Sequence, residues 1–247
     1  MNLYERPDPR RLDLRASVRN LHQEWLVRIS RQRVGVSVQV VVDVSASMAF
    51  GAHTPKLHVA ADFIEALGHS TFRVGDALGM AAFDVAERTD LYVPALRNRG
   101  MGDVMSGMIR QCRTAPGSIT GLEQALVHLV SRPGLVFLVS DFHWPLDRLG
   151  PAVDLLAGSF VVPMIIWDHA EIEPPGHDAI AALEDAESGA SRTLWMRPKL
   201  RAQWRDNVAL RRLELDRLFA SRSIRPFYVT GAFDADALSE YFFEANA

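Results

Sequence analysis

Uninterrupted apolar runs alternate along this chain with segments in which apolar residues recur at helical spacing. The run VGVSVQVVV (34–42) has a β-branched valine at six of its nine positions, which is typical of a strand buried on both faces. The segment 56–72 instead places Leu57, Ile64 and similar residues on one helical face. Apolar strands that alternate with helices predict βαβ crossovers, and hence an α/β fold with a doubly wound, mainly parallel sheet flanked by helices.

The same patterns predict the remaining elements and the domain boundaries. Further strands are expected at 76–83, 89–93, 135–141, 158–168 and 225–230. Further helices are expected at 101–112, 120–130, 146–156, 199–221 and 234–243. Residues 179–196 resemble a β-hairpin that turns at Ser188-Gly189. We therefore expect an N-terminal extension over 1–33 and one domain over 34–247, with a hairpin insertion at 169–197.

The charge is unevenly distributed, although the net charge of the 247 residues is only −3. Residues 1–33 carry a net charge of +4, residues 34–196 a net charge of −9, and residues 197–222 a net charge of +5. The net negative charge argues against a dedicated nucleic-acid binder. An acidic body between basic segments suits a metal ion and a protein partner, and ordinary solvated faces are the alternative.

The composition also limits the compartment and the thiol chemistry. The single cysteine, Cys112, excludes an intramolecular disulfide and a cysteine-rich zinc site. No apolar run approaches the roughly 18 residues that a membrane span needs, and the N-terminus lacks the apolar core of a signal peptide. We therefore expect a cytoplasmic protein that does not itself insert into a membrane.

Small oxygen-bearing side chains follow two of the predicted buried strands. The first strand ends in Asp43, with Ser45 and Ser47 directly after it, and the strand at 135–141 ends in Asp141. The carboxyl ends of parallel strands meet at one edge of a sheet, where ligands bind close to the point at which the strand order reverses. Carboxylate and hydroxyl oxygens favour magnesium, manganese or calcium over zinc.

The segment DVSAS at 43–47 resembles the D-x-S-x-S of the metal-ion-dependent adhesion site in von Willebrand factor A domains. That family completes its site with a threonine that begins a helix and an aspartate after the next buried strand. GSITGLEQAL and LVFLVSD place Thr120 and Asp141 at these positions. The resemblance implies a Rossmann-like von Willebrand factor A fold. It also implies a divalent cation, most simply Mg²⁺, and an acidic ligand from a partner. The implied metal ligands are Asp43, Ser45, Ser47, Thr120 and Asp141.

A narrower resemblance extends over nearly the whole chain. RPDPRRLDLRASVRN (6–20), DVSASMAFG, SDF (140–142) and LEDAESG (183–189) are similar to a bacterial branch called domain of unknown function fifty-eight. Members tend to be encoded beside MoxR-type AAA+ ATPases, and small members occur in methanol oxidation clusters. The resemblance implies a non-enzymatic, chaperone-like adaptor. It would act with such an ATPase on a client in assembly, maturation or metallation of an enzyme complex, with methanol dehydrogenase as one client. Ser118-Ile119 departs from the usual Gly-Gly before the threonine.

Other interpretations of these residues stay open. Asp43, Ser45 and Ser47 also suit a strand-end turn with helix capping, and Thr120 suits a helix N-cap. His143, like His53 and His58, is either a transition-metal ligand or an ordinary loop residue. Trp144 and Phe50 suit an interface rim or the core.

An aspartyl phosphatase is the alternative function, because such enzymes also begin from an aspartate after a first buried strand. They need a second acid two residues later to protonate the leaving group. That position is Ser45 here, and no lysine follows in an obvious role.

Overall fold

The computed structural model describes residues 35–130, 133–174, 180–184 and 191–245. Its strands are β1 Ser37–Asp43, β2 Ala77–Phe83, β3 Val93–Leu96, β4 Leu135–Ser140, β5 Phe160–Trp167, β6 Ile180–Glu184, β7 Ser191–Trp195 and β8 Phe227–Thr230. Its α-helices are α1 Lys56–Val74, α2 Met101–Gln111, α3 Ile119–Val127, α4 Leu149–Asp154, α5 His169–Ile172, α6 Pro198–Ala220 and α7 Ala235–Ala245. Short 3₁₀ helices occupy Ala46–Ala49 and Thr89–Leu91.

Six strands form one sheet in the order β3-β2-β1-β4-β5-β8. All neighbouring strands run parallel except β2 and β3, which are antiparallel. This is the predicted doubly wound α/β fold. Strands β6 and β7 pair with each other as the predicted antiparallel hairpin. The predicted turn residues at 185–190 lie outside the described residues.

Helices cover both faces of the sheet, which explains why its central strands are apolar at almost every position. On one face, α1, α2 and α7 contribute Phe63, Met105 and Tyr241 to a buried cluster. On the other face, α3, α4 and α6 build a second cluster. That cluster contains Leu126, Val153 and Phe219. Successive side chains of a strand point to opposite faces, so the valines of β1 divide between the two clusters.

The strand order reverses between β1 and β4, and this places the ends of both strands together. The chain moves outward from β1 to β2 on one side and returns to β4 on the other. Asp43 is the last residue of β1, and Asp141 directly follows β4. Both carboxylates therefore occupy the position at which open α/β sheets bind ligands.

Two predicted elements differ from the structure. The strand predicted at 89–93 is a 3₁₀ turn over Thr89–Leu91, and β3 begins only at Val93. The Arg88 guanidinium pairs with the Asp90 carboxylate at 2.9 Å, which closes this turn. The helix predicted at 146–156 is shorter and begins at Leu149. Pro151 is tolerated because it lies in the first turn, where its missing N–H leaves no hydrogen bond unmade.

Two further expectations meet the limits of the described residues. The N-terminal extension predicted over 1–33 lies outside them, and so does part of the proposed insertion at 169–197. Within the described parts of the chain, no helix is both long and apolar enough to cross a membrane.

Candidate metal centre

A tight turn at the end of β1 brings three oxygen-bearing side chains together. The Oδ1 atom of Asp43 accepts a hydrogen bond from the Ser45 backbone N–H at 2.9 Å. This turn directs the next two hydroxyls to one place, since Ser45 Oγ and Ser47 Oγ are 3.1 Å apart. The strand-end turn considered from sequence is therefore present, and it brings the three residues together.

The second oxygen of Asp43 is held by two donors from the loop after β4. Oδ2 accepts hydrogen bonds from Ser140 Oγ at 2.6 Å and from Trp144 Nε1 at 3.0 Å. Asp43 is fully buried, and its burial, together with the charge of Asp141, raises its pKa to about 6. The three donors occupy three of the roughly four lone-pair directions of a carboxylate. One direction is left for a cation or a bound water.

Asp141 is also fully buried, and it forms an ion pair that the sequence did not predict. The ammonium of Lys56, the first residue of α1, lies 2.6 Å from Asp141 Oδ2 and 2.5 Å from Glu171 Oε1. Lys56 is only 1% exposed. Burial disfavours both charged forms, but their mutual attraction outweighs it, so the pKa of Lys56 is raised and that of Asp141 is lowered. The Ser47 side chain also hydrogen-bonds to Asp141, which links the two strand ends.

The loop after Asp141 has a strained backbone. Phe142 has a φ of 52°, a left-handed conformation that a large side chain adopts only when its surroundings hold it there. Its N–H donates to Ser140 Oγ at 2.9 Å, and its carbonyl accepts from Arg211 Nη2 of α6 at 2.6 Å. Its ring packs against Trp144 and Phe219 in the core. These contacts fix the direction in which Asp141 leaves the sheet.

Thr120 lies in the first turn of α3, and its recorded hydrogen bonds are to Arg148 and Ser118 rather than to Asp43 or Asp141. Its Oγ1 accepts a hydrogen bond from Arg148 at 3.3 Å, and its N–H donates to Ser118 Oγ at 3.2 Å. Ser118 is the N-cap of α3, so the N-cap interpretation of Thr120 is wrong. The next residue must be glycine, because a Cβ on Gly121 would lie 2.4 Å from the Asp84 carbonyl oxygen. The role of Thr120 as a metal ligand stays a prediction.

Two of the side chains left open from sequence lie at this site. Trp144 is 9% exposed and donates to Asp43, so the core interpretation is correct for it. Phe50 is 43% exposed, as expected of a rim residue. Among the described residues, His143 has a potential ligand atom within 4.8 Å of those of Asp141 and Glu171. His53 and His58 are not members of that group.

Lys56 and Glu171 are the main residues that the sequence reasoning missed. Lys56 lies within a helical pattern, and no local signal shows that its ammonium is buried. Glu171 has a usable signal in D-H-A-E at 168–171, which resembles a capping box. The Asp168 side chain accepts from the Ala170 N–H, and the Glu171 side chain accepts from the Asp168 N–H, both at 2.8 Å. This cap begins α5 and directs Glu171 toward Lys56.

The donor set fits a hard divalent cation. Asp43, Ser45, Ser47 and Asp141 offer only carboxylate and hydroxyl oxygens. The donors described for Asp43 are all neutral, and the ammonium of Lys56 pairs with two other carboxylates, those of Asp141 and Glu171. Because buried charges need compensation, an additional cation would lower the electrostatic cost of this cluster.

Comparison with known proteins agrees with this fold. A family model described as "Protein of unknown function DUF58" matches residues 5–214. The chain belongs to the DUF58 family. This DUF58 protein is 27% identical over 215 residues to the uncharacterized protein Rv1480 of Mycobacterium tuberculosis. The match covers 85% of this chain and 66% of the relative, so the chain spans about two thirds of that protein's length.

Solved structures resemble this DUF58 protein at low identity. The conserved hypothetical protein BatB of Bacteroides thetaiotaomicron is 14% identical, with a TM-score of 0.51. The match covers 86% of this chain and 98% of that one. A von Willebrand factor type A structure from Catenulispora acidiphila is 15% identical, with a TM-score of 0.42, over 87% of this chain and 42% of that one. The similarity to BatB supports the fold alone.

Proposed function

We propose that this DUF58 protein is a metal-dependent adaptor that binds another protein and does not itself convert a substrate. The observation that carries the proposal is the convergence of Asp43, Ser45, Ser47 and Asp141 where the strand order reverses. These four residues hold the cation, and Thr120 joins them. We take the ion to be Mg²⁺, with Mn²⁺ and Ca²⁺ as alternatives. When bound, such a cation offers an open coordination position to a carboxylate from outside.

The partner follows from the family resemblance. We propose a MoxR-type AAA+ ATPase, or a client that it remodels, as the protein that supplies the acidic ligand. ATP hydrolysis belongs to the ATPase, because the chain lacks the G-x-x-x-x-G-K-[ST] motif. The task is assembly, maturation or metallation of an enzyme complex. The chain resembles MxaS of methanol oxidation clusters in its layout, so we propose methanol dehydrogenase as one candidate client. A cytoplasmic location fits an ATP-dependent partner.

One observation favours the alternative, an aspartyl phosphatase. A lysine that was not obvious from the sequence lies at the site, since the Lys56 ammonium is 2.6 Å from Asp141. The burial of Asp43 weighs more heavily against this chemistry. The protein donors on both oxygens of Asp43 leave one lone-pair direction, and we assign that direction to the cation rather than to attack on a substrate. Ser45 also cannot supply the acid that the leaving group needs.

The test combines cation binding with capture of the partner. We expect Asp43→Asn to lower Mg²⁺ affinity on the order of 100-fold in calorimetry, because a ligand carboxylate is lost. The same variant should abolish Mg²⁺-dependent capture of a purified MoxR-type ATPase from the same genome. Asp154→Asn, which changes an exposed carboxylate, is the matched control.

Two outcomes would contradict the proposal. Unchanged Mg²⁺ affinity in Asp43→Asn would remove its chemical basis. Steady turnover of p-nitrophenyl phosphate that is lost in the same variant would establish the phosphatase instead.

A further inference from the structure

A groove lies directly beside the candidate metal centre. Its volume is about 710 Å³, and it lies between α6 on one side and the end of β5 with α5 on the other. One wall carries Leu200, Trp204 and Val208 of α6, which are spaced four residues apart and therefore share one helical face. The opposite wall carries Trp167 and Ile172. The groove is thus wide enough for a large side chain and is mainly apolar.

The groove and the metal centre share residues. His143 and Glu171 line the groove, and Glu171 also binds the Lys56 ammonium that holds Asp141. The His143 ring stacks on Trp167 with an interplanar angle of 6°, and Trp167 Nε1 donates to the Asp141 carbonyl at 2.9 Å. A chain that reaches the cation from this side therefore passes directly into the groove.

The charge of α6 favours an acidic occupant. The helix carries six Lys or Arg residues and three acidic residues, a net charge of +3. Arg211, which lines the groove, directs its guanidinium toward the Phe142 and Trp144 carbonyls at the base of the site. A basic helix beside the site steers negatively charged segments toward it.

We propose that this groove binds a short acidic segment of the partner protein. The proposal rests on the adaptor function and specifies the short sequence pattern by which the partner protein binds. One Asp or Glu completes the coordination of the cation, and an aromatic or large aliphatic side chain two to four residues away packs against Trp167 and Trp204. We choose this short spacing because the two sites adjoin: Glu171 lines the groove and also binds the Lys56 ammonium that holds Asp141.

The experiment selects peptides without assuming a partner. A random 12-residue library displayed on phage is selected on the immobilised full chain in Mg²⁺. Bound phage are eluted first with EDTA and then with acid, which recovers the Mg²⁺-independent binders separately. We expect enriched sequences to contain an acidic residue and a large apolar residue at the stated spacing. Synthetic versions with a fluorophore are then titrated against the protein by anisotropy.

Matched variants of α6 distinguish the contribution of the groove to peptide binding from the contribution of the cation. Leu200→Gln changes a groove residue, whereas Leu210→Gln changes an exposed leucine of the same helix outside the groove. We expect Leu200→Gln to weaken peptide binding about tenfold, as the loss of a buried aliphatic contact does, and Leu210→Gln to leave it unchanged. Trp204→Ala should weaken it at least as much. Calorimetry should show unchanged Mg²⁺ affinity in both glutamine variants.

Each remaining outcome overturns the proposal in a distinct way. Mg²⁺-dependent peptides that bind Leu200→Gln and Trp204→Ala as well as the wild type would disprove the groove but leave the adaptor function standing. Peptides that need the groove but neither Mg²⁺ nor an acidic residue would assign it to a different ligand. Failure to enrich any Mg²⁺-dependent peptide would contradict both the groove and the adaptor.

Discussion

The predicted ligand set has two parts that are held differently: the buried carboxylates that the structure brings together, and Thr120, whose place in the set is a prediction. In the first part, the buried Asp43 accepts hydrogen bonds from a backbone N–H, a hydroxyl and an indole, and the equally buried Asp141 is paired with Lys56. In the second part, Thr120 is exposed and its hydroxyl accepts a hydrogen bond from Arg148. The first part is fixed by the core, so it is formed before a ligand arrives. The second part can exchange partners at small cost.

Removing the buried Lys56 ammonium should have the largest effect on the stability of the fold. Lys56→Met leaves Asp141 and Glu171 without their ammonium, so we expect a loss of roughly 3–5 kcal/mol in the free energy of unfolding in EDTA. Added Mg²⁺ should restore more stability to this variant than to the wild type, because the site becomes more negative. Urea unfolding with and without Mg²⁺ measures both effects.

The exposed part supplies the control for Lys56→Met. Arg148→Met removes the cation that contacts Thr120 and Glu123 at the surface, and it should cost no more than about 1 kcal/mol. Equal losses in the two variants would show that the two parts do not differ in the way described.

The pH dependence of cation binding tests the buried part by itself. The pKa of Asp43 is raised to about 6, so its carboxyl is mostly ionised at pH 7 and mostly protonated at pH 5. A proton competes with the cation, and we expect Mg²⁺ affinity in calorimetry to fall about tenfold between pH 7 and pH 5. A flat profile over this range would contradict the assignment of Asp43.

The raised pKa of Asp43 also determines how the free energy of unfolding changes with pH when Mg²⁺ is absent. Because the folded pKa lies above the ordinary value of 3.8, protonation favours the folded state between about pH 4 and pH 6. The contribution of Asp43 to stability should therefore rise as the pH falls through 6. Asp43→Asn should lack this contribution.

A smaller loss is expected when one donor to Asp43 is removed. Trp144→Phe keeps an aromatic ring but lacks the Nε1–H that lies 3.0 Å from Asp43 Oδ2. We expect a loss of about 2 kcal/mol in urea unfolding, the usual size for a hydrogen bond to a charged group. Trp195→Phe, at an exposed tryptophan, should leave stability unchanged. A harmless Trp144→Phe would show that this hydrogen bond does not stabilise the buried carboxylate.

The smallest effect is expected at Thr120. Thr120→Val should weaken Mg²⁺ binding only about threefold, because a neutral hydroxyl contributes little and this one must leave Arg148. Thr120→Ser keeps the hydroxyl and should bind like the wild type. A loss as large as that in Asp43→Asn would place Thr120 on equal terms with the buried ligands and remove the distinction between the two parts.

Much of the fold was predictable because the strands are apolar on both faces and have no other stable position than the centre of a parallel sheet. The meeting of Asp43 and Asp141 followed from the same fact, since parallel strands end at a common edge. The ion pairs of Lys56 and the two side-chain donors of Asp43 were not predictable. They depend on which polar atoms tertiary packing buries together. Ser140 and Trp144 lie about 100 residues after Asp43 in the chain, and Glu171 lies 115 residues after Lys56. The strand predicted at 89–93 was wrong because Arg88 and Asp90 close a local turn.

The left-handed backbone at Phe142 has a consequence for how this site tolerates change. A glycine there would relax the main chain but would remove a ring that packs against Phe219 of α6. Other large apolar residues would keep the packing and retain the strain, which costs on the order of 1–3 kcal/mol. The orientation of the neighbouring Asp141 side chain is thus maintained by hydrophobic contacts on the far side of the loop. A core mutation well away from any ligand can therefore misdirect the carboxylate while the sheet stays intact.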